Sequence, residues 1–425
     1  MIFNFFKGKS EYTKNILTLV TGTGSAQLIP IIISPILTRL YSPEDFGLIA
    51  LYLSIVSIIS IFATGRYEFA VMLPKLNSEV RAIIRLSCFL ALIVSLITFL
   101  IVVIFNTEIS KLLGNEDISV WLYFIPGSVL LTSFYQLVNY TMIREKQFGV
   151  LAKNKVIVST TNASTQLGVG YFFKSHFGLL LGNVLGQLIS IFIIIRTTNV
   201  SEYFKATKYP LKKVAYKYKK FPQYDVPSVL MNTLANQMPL LVLGKFFSLS
   251  VLGLYSFMYK ILMMPINLLS NSILDVFKQK ATEDFNNNRE CKGIYTETFY
   301  KLTLLGVIPF SILGMFAPEL FSFIFGDEWK TAGEYAQIMS PMLFLKFIVN
   351  PLSYTFYIAQ KQNVDLIFQI LLFILTFFSL SIGVLFDSVD LTLAAFSAAS
   401  SIIYLIYLGF SYRYSKGLVE NAAQT

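Results

Sequence analysis

Apolar runs of about twenty residues recur along this chain, and they restrict its fold more than any other feature. Residues 82–105 form one such run, AIIRLSCFLALIVSLITFLIVVIF. About 20 apolar residues allow a helix to cross a bilayer, and the runs lack the apolar–polar alternation of barrel strands. Charged residues make up 14% of the chain, whereas a soluble domain averages about 25%. The sequence therefore predicts an all-α integral membrane protein.

Twelve stretches of the chain have the length and apolar character of transmembrane helices. The fifth is the most polar of them, and its Ser, Thr, Asn and Gln residues favour packing against other helices over contact with lipid. The predicted spans are 16–38, 46–73, 82–105, 118–142, 151–173, 177–196, 226–247, 252–277, 298–317, 335–358, 364–386 and 389–412.

Charges in the connecting segments alternate with the twelve predicted spans. Lysine and arginine dominate one set of segments, and cytoplasmic loops carry this excess in membrane proteins. We therefore expect both termini in the cytoplasm. The basic set includes Lys75, Arg81, Arg144, Lys146, Arg196, seven lysines from Lys205 to Lys220, Lys278, Lys280, Lys361 and Arg413. The opposite set includes Glu44, Asp45, Glu108, Glu116, Asp117, Glu319, Asp327, Glu328, Glu334, Asp387 and Asp390.

A basic hydrophilic segment, residues 197–224, divides the chain in the middle. We predict an N-terminal six-helix lobe at 1–196, this cytoplasmic linker, and a C-terminal six-helix lobe at 225–425. Within the linker, Leu211, Val214, Ala215 and Tyr218 have helical spacing, and lysines occupy most of the remaining positions. This pattern favours an amphipathic helix that lies on anionic membrane lipids, and the alternative is a soluble basic linker.

The two predicted lobes contain similar segments at a steady offset of about 206 to 215 residues. Because each lobe has an even number of spans, both copies have the same membrane orientation. This predicts a pseudo-twofold axis along the membrane normal, with a cavity between the lobes. The matching pairs are SPEDFGLIALY (42–52) with SLSVLGLYSFMY (248–259), TEISKLLG (107–114) with PELFSFIFG (318–326), and NYTMIREKQF (139–148) with SYTFYIAQKQN (353–363).

Few ionisable residues fall deep within the predicted spans, and most of these are basic. Arg66 and Glu68 lie in the second span, with Arg66 roughly 11 Å in from its end at the helical rise. A charge there costs on the order of 2.5–3.5 kcal/mol. Two interpretations of Arg66 remain open: a structural ion pair with a carboxylate on another helix, for which Asp275 is a candidate, or a cationic lumen that binds an anion.

The other candidate cations differ in how deep they lie. Lys260 and Lys346 lie deep in the eighth and tenth spans. Arg39, Lys153 and Lys155 lie nearer helix ends, where basic side chains often extend to the interface. Because Arg66 and Glu68 are two residues apart, a continuous helix would point them to different faces, so we do not expect them to pair.

Catalytic and metal-binding patterns are missing from the sequence. It contains no Walker A, HExxH or GxSxG motif, so we expect no enzyme activity. Cys88, Cys291 and the single His176 have no ligand spacing around them, so we expect no metal and no cofactor. We also expect no nucleic-acid partner.

Two blocks of the sequence resemble a known transporter family. SPEDFGLIALY…GRYEFAVMLPK and KKFPQYDVPSVLMNTLANQMP…LGLYSFMYKILMMPINLL resemble the Wzx-type O-antigen and polysaccharide-unit flippases. These belong to the multidrug/oligosaccharidyl-lipid/polysaccharide exporter superfamily, and the similarity runs from about residue 12 to 412. The resemblance implies a V-shaped, MATE-like fold in a bacterial cytoplasmic membrane.

The same resemblance implies a function. The implied function is the translocation of undecaprenyl-diphosphate-linked oligosaccharide across the membrane for O-antigen, capsule or related polysaccharide assembly. The implied mechanism is alternating access through a cationic cavity. Arg66, Lys260, Arg39 and Lys153 are the candidate substrate-binding residues. Glu68 and Asp275 are candidates for coupling to a proton or sodium gradient or for a structural ion pair.

Two alternatives to this function remain open. One is a multidrug or organic-cation exporter of the same fold. The other is a non-transporting partner of a polysaccharide polymerase. A polymerase is also a candidate partner of the flippase itself.

Overall fold

The computed structural model describes residues 11–417, and almost all of them are helical. The α-helices are α1 (Glu11–Leu40), α2 (Pro43–Ala63), α3 (Asn77–Leu112), α4 (Ile118–Leu122), α5 (Ile125–Arg144), α6 (Phe148–Phe173), α7 (Phe177–Thr197), α8 (Leu211–Lys217), α9 (Val226–Phe246), α10 (Leu249–Asn288), α11 (Lys292–Phe325), α12 (Lys330–Leu352), α13 (Thr355–Ile358), α14 (Gln362–Leu385) and α15 (Val389–Ser415). Short 3-10 helices cover Tyr67–Met72, Asn199–Phe204 and Asp327–Trp329, and a π-helix covers Phe221–Asp225.

Eight helical segments within residues 11–417 are long and apolar enough to cross a membrane. They comprise α2, α3, α7, the π-helix with α9, α10, α11, α14 and α15. This confirms the predicted all-α membrane fold. The more polar helices α1, α5, α6 and α12 would complete the predicted set of twelve spans, and their membrane crossing remains a prediction.

The chain forms two compact units, Met1–Gly253 and Leu254–Thr425, with the boundary inside α10. The first unit includes α9, which packs on α2. The compact units divide about one helix later than the predicted linker at residues 197–224. The division into two six-helix lobes remains a prediction.

In the first unit, α1 packs along α6, and α6 packs along α7. The first two run parallel, because Gly22 lies against Ala152 and Tyr41 donates a hydrogen bond to the Gln166 carbonyl at 2.6 Å. A second group consists of α2, α3 and α5, with α9 on its α2 side.

In the second unit, α12 packs against both α11 and α15, and α14 packs against α15. Trp329, just before α12, is fully buried, and its ring lies 4.4 Å from that of Phe257 on α10. Gly333 brings α12 directly against the Ala317 carbonyl of α11.

The linker helix α8 packs its apolar side against protein. Val214 is fully buried, and Tyr218 is nearly so, in a cluster with Tyr67, Val71 and residues of α3. Lys217 and Tyr218 both donate to the Glu79 carboxylate on α3. The amphipathic pattern was therefore correctly interpreted as a helix, but its apolar face covers the first unit and is not free to enter lipid.

Two glycines bring the start of α2 into backbone contact with the start of α10. A Cβ added to Gly47 would overlap the Leu249 carbonyl oxygen, and one added to Gly253 would overlap the Pro43 carbonyl oxygen. These four residues pair at the repeat offset of 206: position 43 corresponds to 249, and 47 corresponds to 253. The contact is therefore reciprocal between the two copies of this segment.

The packing of α8 yields a test by limited proteolysis. We expect Val214→Asp to detach the linker, since a buried, unpaired carboxylate costs several kcal/mol, and trypsin should then cut faster between Lys212 and Lys220. Tyr216→Asp is the matched control, because Tyr216 lies on the same helix and is 72% exposed. Equal cleavage rates for both variants would contradict the docking of α8 on protein.

The glycine contact yields a test by thermal unfolding in detergent. We expect Gly47→Ala or Gly253→Ala to destabilise the protein by about 1–3 kcal/mol, because each added methyl group must push two backbones apart. Gly127→Ala on α5 is the control, since an added Cβ there meets nothing within 4 Å. It should be neutral or stabilise slightly, by about 0.5–1 kcal/mol.

Candidate functional site

The segment after α2 turns sharply at two consecutive residues in left-handed conformation. Helix α2 ends at Ala63, Gly65 has φ 58° and Arg66 has φ 62°, and the 3-10 helix Tyr67–Met72 follows. The prediction of one helix over 46–73 is therefore wrong. Two left-handed residues cannot continue an α-helix, and a hydropathy pattern does not register backbone direction. Arg66 lies in a turn between α2 and α3.

Carboxylates contact Arg66 from two sides. Its Nε donates to Asp225 Oδ2 at 2.8 Å, and its Nη1 lies 3.7 Å from Glu68 Oε1. The expectation that Arg66 and Glu68 do not pair assumed a continuous helix. The turn brings the two side chains together, so that expectation is wrong. The partner of Arg66 from a distant part of the chain is Asp225, not the candidate Asp275.

An aromatic ring covers a third side of the guanidinium. Its central carbon lies 4.1 Å from the ring centroid of Phe69, which in turn lies 4.6 Å from the ring of Tyr140 on α5. Such cation–π contacts contribute about 0.5–1 kcal/mol at exposed sites and more where water is excluded. The Arg66 side chain remains 17% exposed, so one side of it is accessible.

Glu68 is buried beneath this turn, with only 1% of its side chain exposed. Its carboxylate accepts a hydrogen bond from Thr64. Burial raises the pKa of Glu68 above its ordinary value, and the Thr64 hydroxyl and the Arg66 charge oppose that rise. The raised pKa makes Glu68 easier to protonate than an ordinary glutamate.

Asp225 occupies the last position of the π-helix and the N-cap position of α9. Aspartate at an N-cap usually accepts from a backbone N–H of the first turn, but the Asp225 side chain makes no such bond. Its carboxylate binds Arg66 instead. Sequence reasoning missed this residue, although the signal of an aspartate just before a proline and a helix was present in YDVP.

The far end of the 3-10 helix is fixed to α5. Arg144 donates to the carbonyls of Val71 at 2.9 Å and Pro74 at 2.8 Å. Tyr67 is buried and donates to the Ala215 carbonyl of α8 at 3.1 Å. The turn that presents Arg66 is therefore held by α5 and by the linker.

The structure separates Arg39 from Lys153. Arg39 is exposed in the last turn of α1, where it donates to the Pro35 carbonyl, and Lys153 is exposed in the second turn of α6. Because α1 and α6 are parallel and Gly22 lies beside Ala152, the backbones at 39 and 153 are about 25 Å apart along the pair. Their predicted roles in one lumen remain untested.

Lys260 and Asp275 both lie on α10 in the second unit, and both are exposed. Lys346, also in this unit, donates to the Tyr259 hydroxyl at 2.8 Å. Tyr259 in turn stacks on Tyr255 at a centroid distance of 5.8 Å. Lys346 makes no salt bridge with any carboxylate between residues 201 and 417, so this unit contains a half-buried cation held by an aromatic hydroxyl.

Metal ligands are not clustered in the described range: no group of three or more His, Cys, Asp or Glu residues there could hold an ion. Cys88 is half-buried and Cys291 is buried, and both are free thiols.

Comparison with known proteins relates this chain to polysaccharide biosynthesis proteins. The family model described as "Polysaccharide biosynthesis protein" matches residues 36–334. The succinoglycan biosynthesis transport protein ExoT of Rhizobium meliloti (strain 1021) is 21% identical over 318 residues, which cover 73% of this chain and 61% of that protein. The chain thus spans less than two thirds of the length of this relative.

Two solved structures share the fold at 12% sequence identity. The lipid II flippase MurJ in its inward closed conformation superposes with a TM-score of 0.73, covering 93% of this chain and 87% of MurJ. An inward-facing multidrug resistance MATE family transporter of the MOP superfamily superposes with a TM-score of 0.70, covering 94% of each chain.

Proposed function

Because this chain belongs to the polysaccharide biosynthesis protein family, we propose that it is a flippase for lipid-linked oligosaccharide units. The substrate would be an undecaprenyl-diphosphate-linked oligosaccharide, moved from the cytoplasmic to the outer leaflet of a bacterial cytoplasmic membrane. The product would serve O-antigen, capsule or related polysaccharide assembly. The proposal assigns transport to the chain and no catalytic step.

The observation that carries this proposal is the unused donor capacity of Arg66. A guanidinium has five N–H donors, and only Nε–H forms a hydrogen bond with a residue in the described range. The remaining donors suit the bidentate contact that arginine makes with phosphate oxygens. With Phe69 on one face and Glu68 beneath, the guanidinium is oriented before any substrate arrives.

The predicted topology puts this turn at the cytoplasmic end of α2, with both termini in the cytoplasm. A headgroup loaded from inside would meet Arg66 early, while its polyprenyl tail stays in lipid. Alternating access would then expose the headgroup outside. Lys260, Arg39 and Lys153 remain proposed further cationic contacts along the route.

A multidrug exporter is the second candidate, supported by the shared fold with the MATE transporter. Organic cations would require acidic or aromatic contacts, and the acidic side chains of this site, Glu68 and Asp225, are already occupied by the Arg66 guanidinium. Family membership also favours a glycan substrate. Binding of lipophilic cations by the purified protein, without binding of diphosphate lipids, would establish the exporter instead.

Anionic lipids and a polysaccharide polymerase are the proposed partners. Lys212, Lys213, Lys219 and Lys220 are exposed around α8, while the apolar side of this helix is covered by protein. Contact with anionic headgroups would therefore be electrostatic and would weaken with salt.

Net transport requires an energy source, and Glu68 is the proposed site of coupling to a proton gradient. It is buried, it neighbours the substrate-binding guanidinium, and its pKa is raised. Protonation would remove one negative charge beside Arg66 and so increase the guanidinium's attraction for phosphate. Asp275 remains the alternative coupling residue, and a sodium gradient the alternative source.

The role of Arg66 is tested by export at equal protein expression. We expect Arg66→Ala to reduce outer-leaflet glycan at least tenfold, because the phosphate contact is lost. Export by Arg66→Lys should fall between that of Arg66→Ala and that of wild type, because lysine keeps the charge but lacks the planar guanidinium. Lys301→Ala is the control, because Lys301 is 72% exposed on α11. Unchanged export by Arg66→Ala would remove Arg66 from the mechanism.

The role of Glu68 is tested by the pH dependence of flux in liposomes with labelled lipid-linked sugar. Glu68→Gln fixes the neutral form, so we expect its flux to lose the pH dependence of wild type near the Glu68 pKa. Thr64→Val removes a hydroxyl that favours the charged form, which raises the Glu68 pKa further and shifts the transition to higher pH. An unaltered profile in Glu68→Gln, with an altered one in Asp275→Asn, would transfer the role to Asp275.

A further inference from the structure

We propose that Asp225 is a resident counter-ion of Arg66 that the substrate's phosphate displaces, so that loading exchanges one anion for another. The inference rests on the proposed function, because it takes a diphosphate as the incoming anion. It assigns Asp225 as a positioning residue that sets the affinity of Arg66 for phosphate.

The two carboxylates beside Arg66 differ in how easily they can leave. Glu68 is 1% exposed and is fixed by Thr64, so it stays with the turn. Asp225 has the shorter contact, 2.8 Å to Nε, but its side chain is 39% exposed. Water and a soluble anion can therefore reach Asp225 and cannot reach Glu68.

Asp225 is also attached to a segment that can change shape locally. It ends a π-helix of five residues, Phe221–Asp225, and π-helical turns occur mostly as single insertions at functional sites. The preceding helix α8 is held separately by Glu79. Movement of Asp225 therefore does not require the rest of the linker to detach.

Asp225 does not act as a cap of α9. Its backbone is helical, with φ −76° and ψ −39°, and the helical run continues without a break from Phe221 to Phe246. The Asp225 carboxylate makes no bond to the first turn of α9, so no capping bond opposes or is lost in its movement away from Arg66.

Phosphate has the advantage in this competition. Asp225 engages only Nε–H of the guanidinium, whereas a diphosphate can engage two N–H groups in parallel and carries more charge. The resident carboxylate keeps Arg66 neutralised when no substrate is present and makes substrate binding weaker than it would be to a free guanidinium.

The test measures the binding of inorganic pyrophosphate to the full-length protein in detergent by titration calorimetry. Asp225→Asn removes the competing charge and keeps the shape, so we expect pyrophosphate affinity to rise at least fivefold. Glu202→Gln is the matched control: it removes one exposed linker carboxylate, which pairs with Arg81 and Lys205, and should leave the affinity unchanged. Unchanged or weaker binding in Asp225→Asn, or an equal gain in Glu202→Gln, would overturn the exchange.

The Arg66→Ala background separates this inference from the proposed function. There, Asp225→Asn should have no effect, because the two residues act on the same ion. If Arg66→Ala binds pyrophosphate as wild type does, the proposed role of Arg66 fails. If Arg66→Ala loses binding but Asp225→Asn gains none, only the exchange fails.

Discussion

The charge on Arg66 is the constraint around which the first unit is arranged. An unpartnered cation next to membrane is costly, and three residues on two chain segments neutralise or cover it. The turn itself supplies Glu68 and Phe69, and the end of the linker supplies Asp225. The linker can reach this position because Val214 and Tyr218 anchor α8 on the same 3-10 helix that follows Arg66.

The chain combines a symmetric scaffold with asymmetric chemistry. The starts of α2 and α10 meet through two equivalent glycines. Gly47 packs against the Leu249 carbonyl, and Gly253 packs against the equivalent Pro43 carbonyl. Arg66, at the same offset of 206, corresponds to Ser272, whose hydroxyl donates only to the Leu268 carbonyl one turn back in α10. The repeat thus preserves a backbone contact, which needs glycine, and leaves the polar position free to diverge.

Features that depend on local sequence were predictable. Hydropathy predicted helices in a membrane, and helical spacing identified α8, because both follow from the periodicity of the chain itself. The sequence also identified Arg66 and Glu68 as charged residues whose placement within a membrane span costs free energy. Features that depend on backbone direction or on distant contacts were not predictable in this way. Left-handed φ at Arg66 is rare for a residue other than glycine, and no composition signal marks it.

The partners of amphipathic and charged residues were the hardest to predict. The apolar face of a helix indicates only that this face is buried. Lipid and protein can both bury it, and the sequence pattern of α8 favours the membrane surface, whereas the structure places protein there. Asp225 is 159 residues from Arg66, and no local rule connects them. Its neighbour in sequence is a helix that it would ordinarily cap, which is the role that a local interpretation assigns to it.

The pairing of one fixed and one exchangeable carboxylate suits a transporter better than either alone. A bare guanidinium would hold a diphosphate tightly and would resist release on the far side of the membrane. Two fixed carboxylates would neutralise the guanidinium permanently and leave a phosphate nothing to gain. With Glu68 buried and Asp225 exposed, the proposed exchange would keep the cation neutralised at rest and let it attract phosphate when Asp225 leaves. A returning carboxylate then competes with the bound phosphate, so the same ion pair that opposes binding also promotes release.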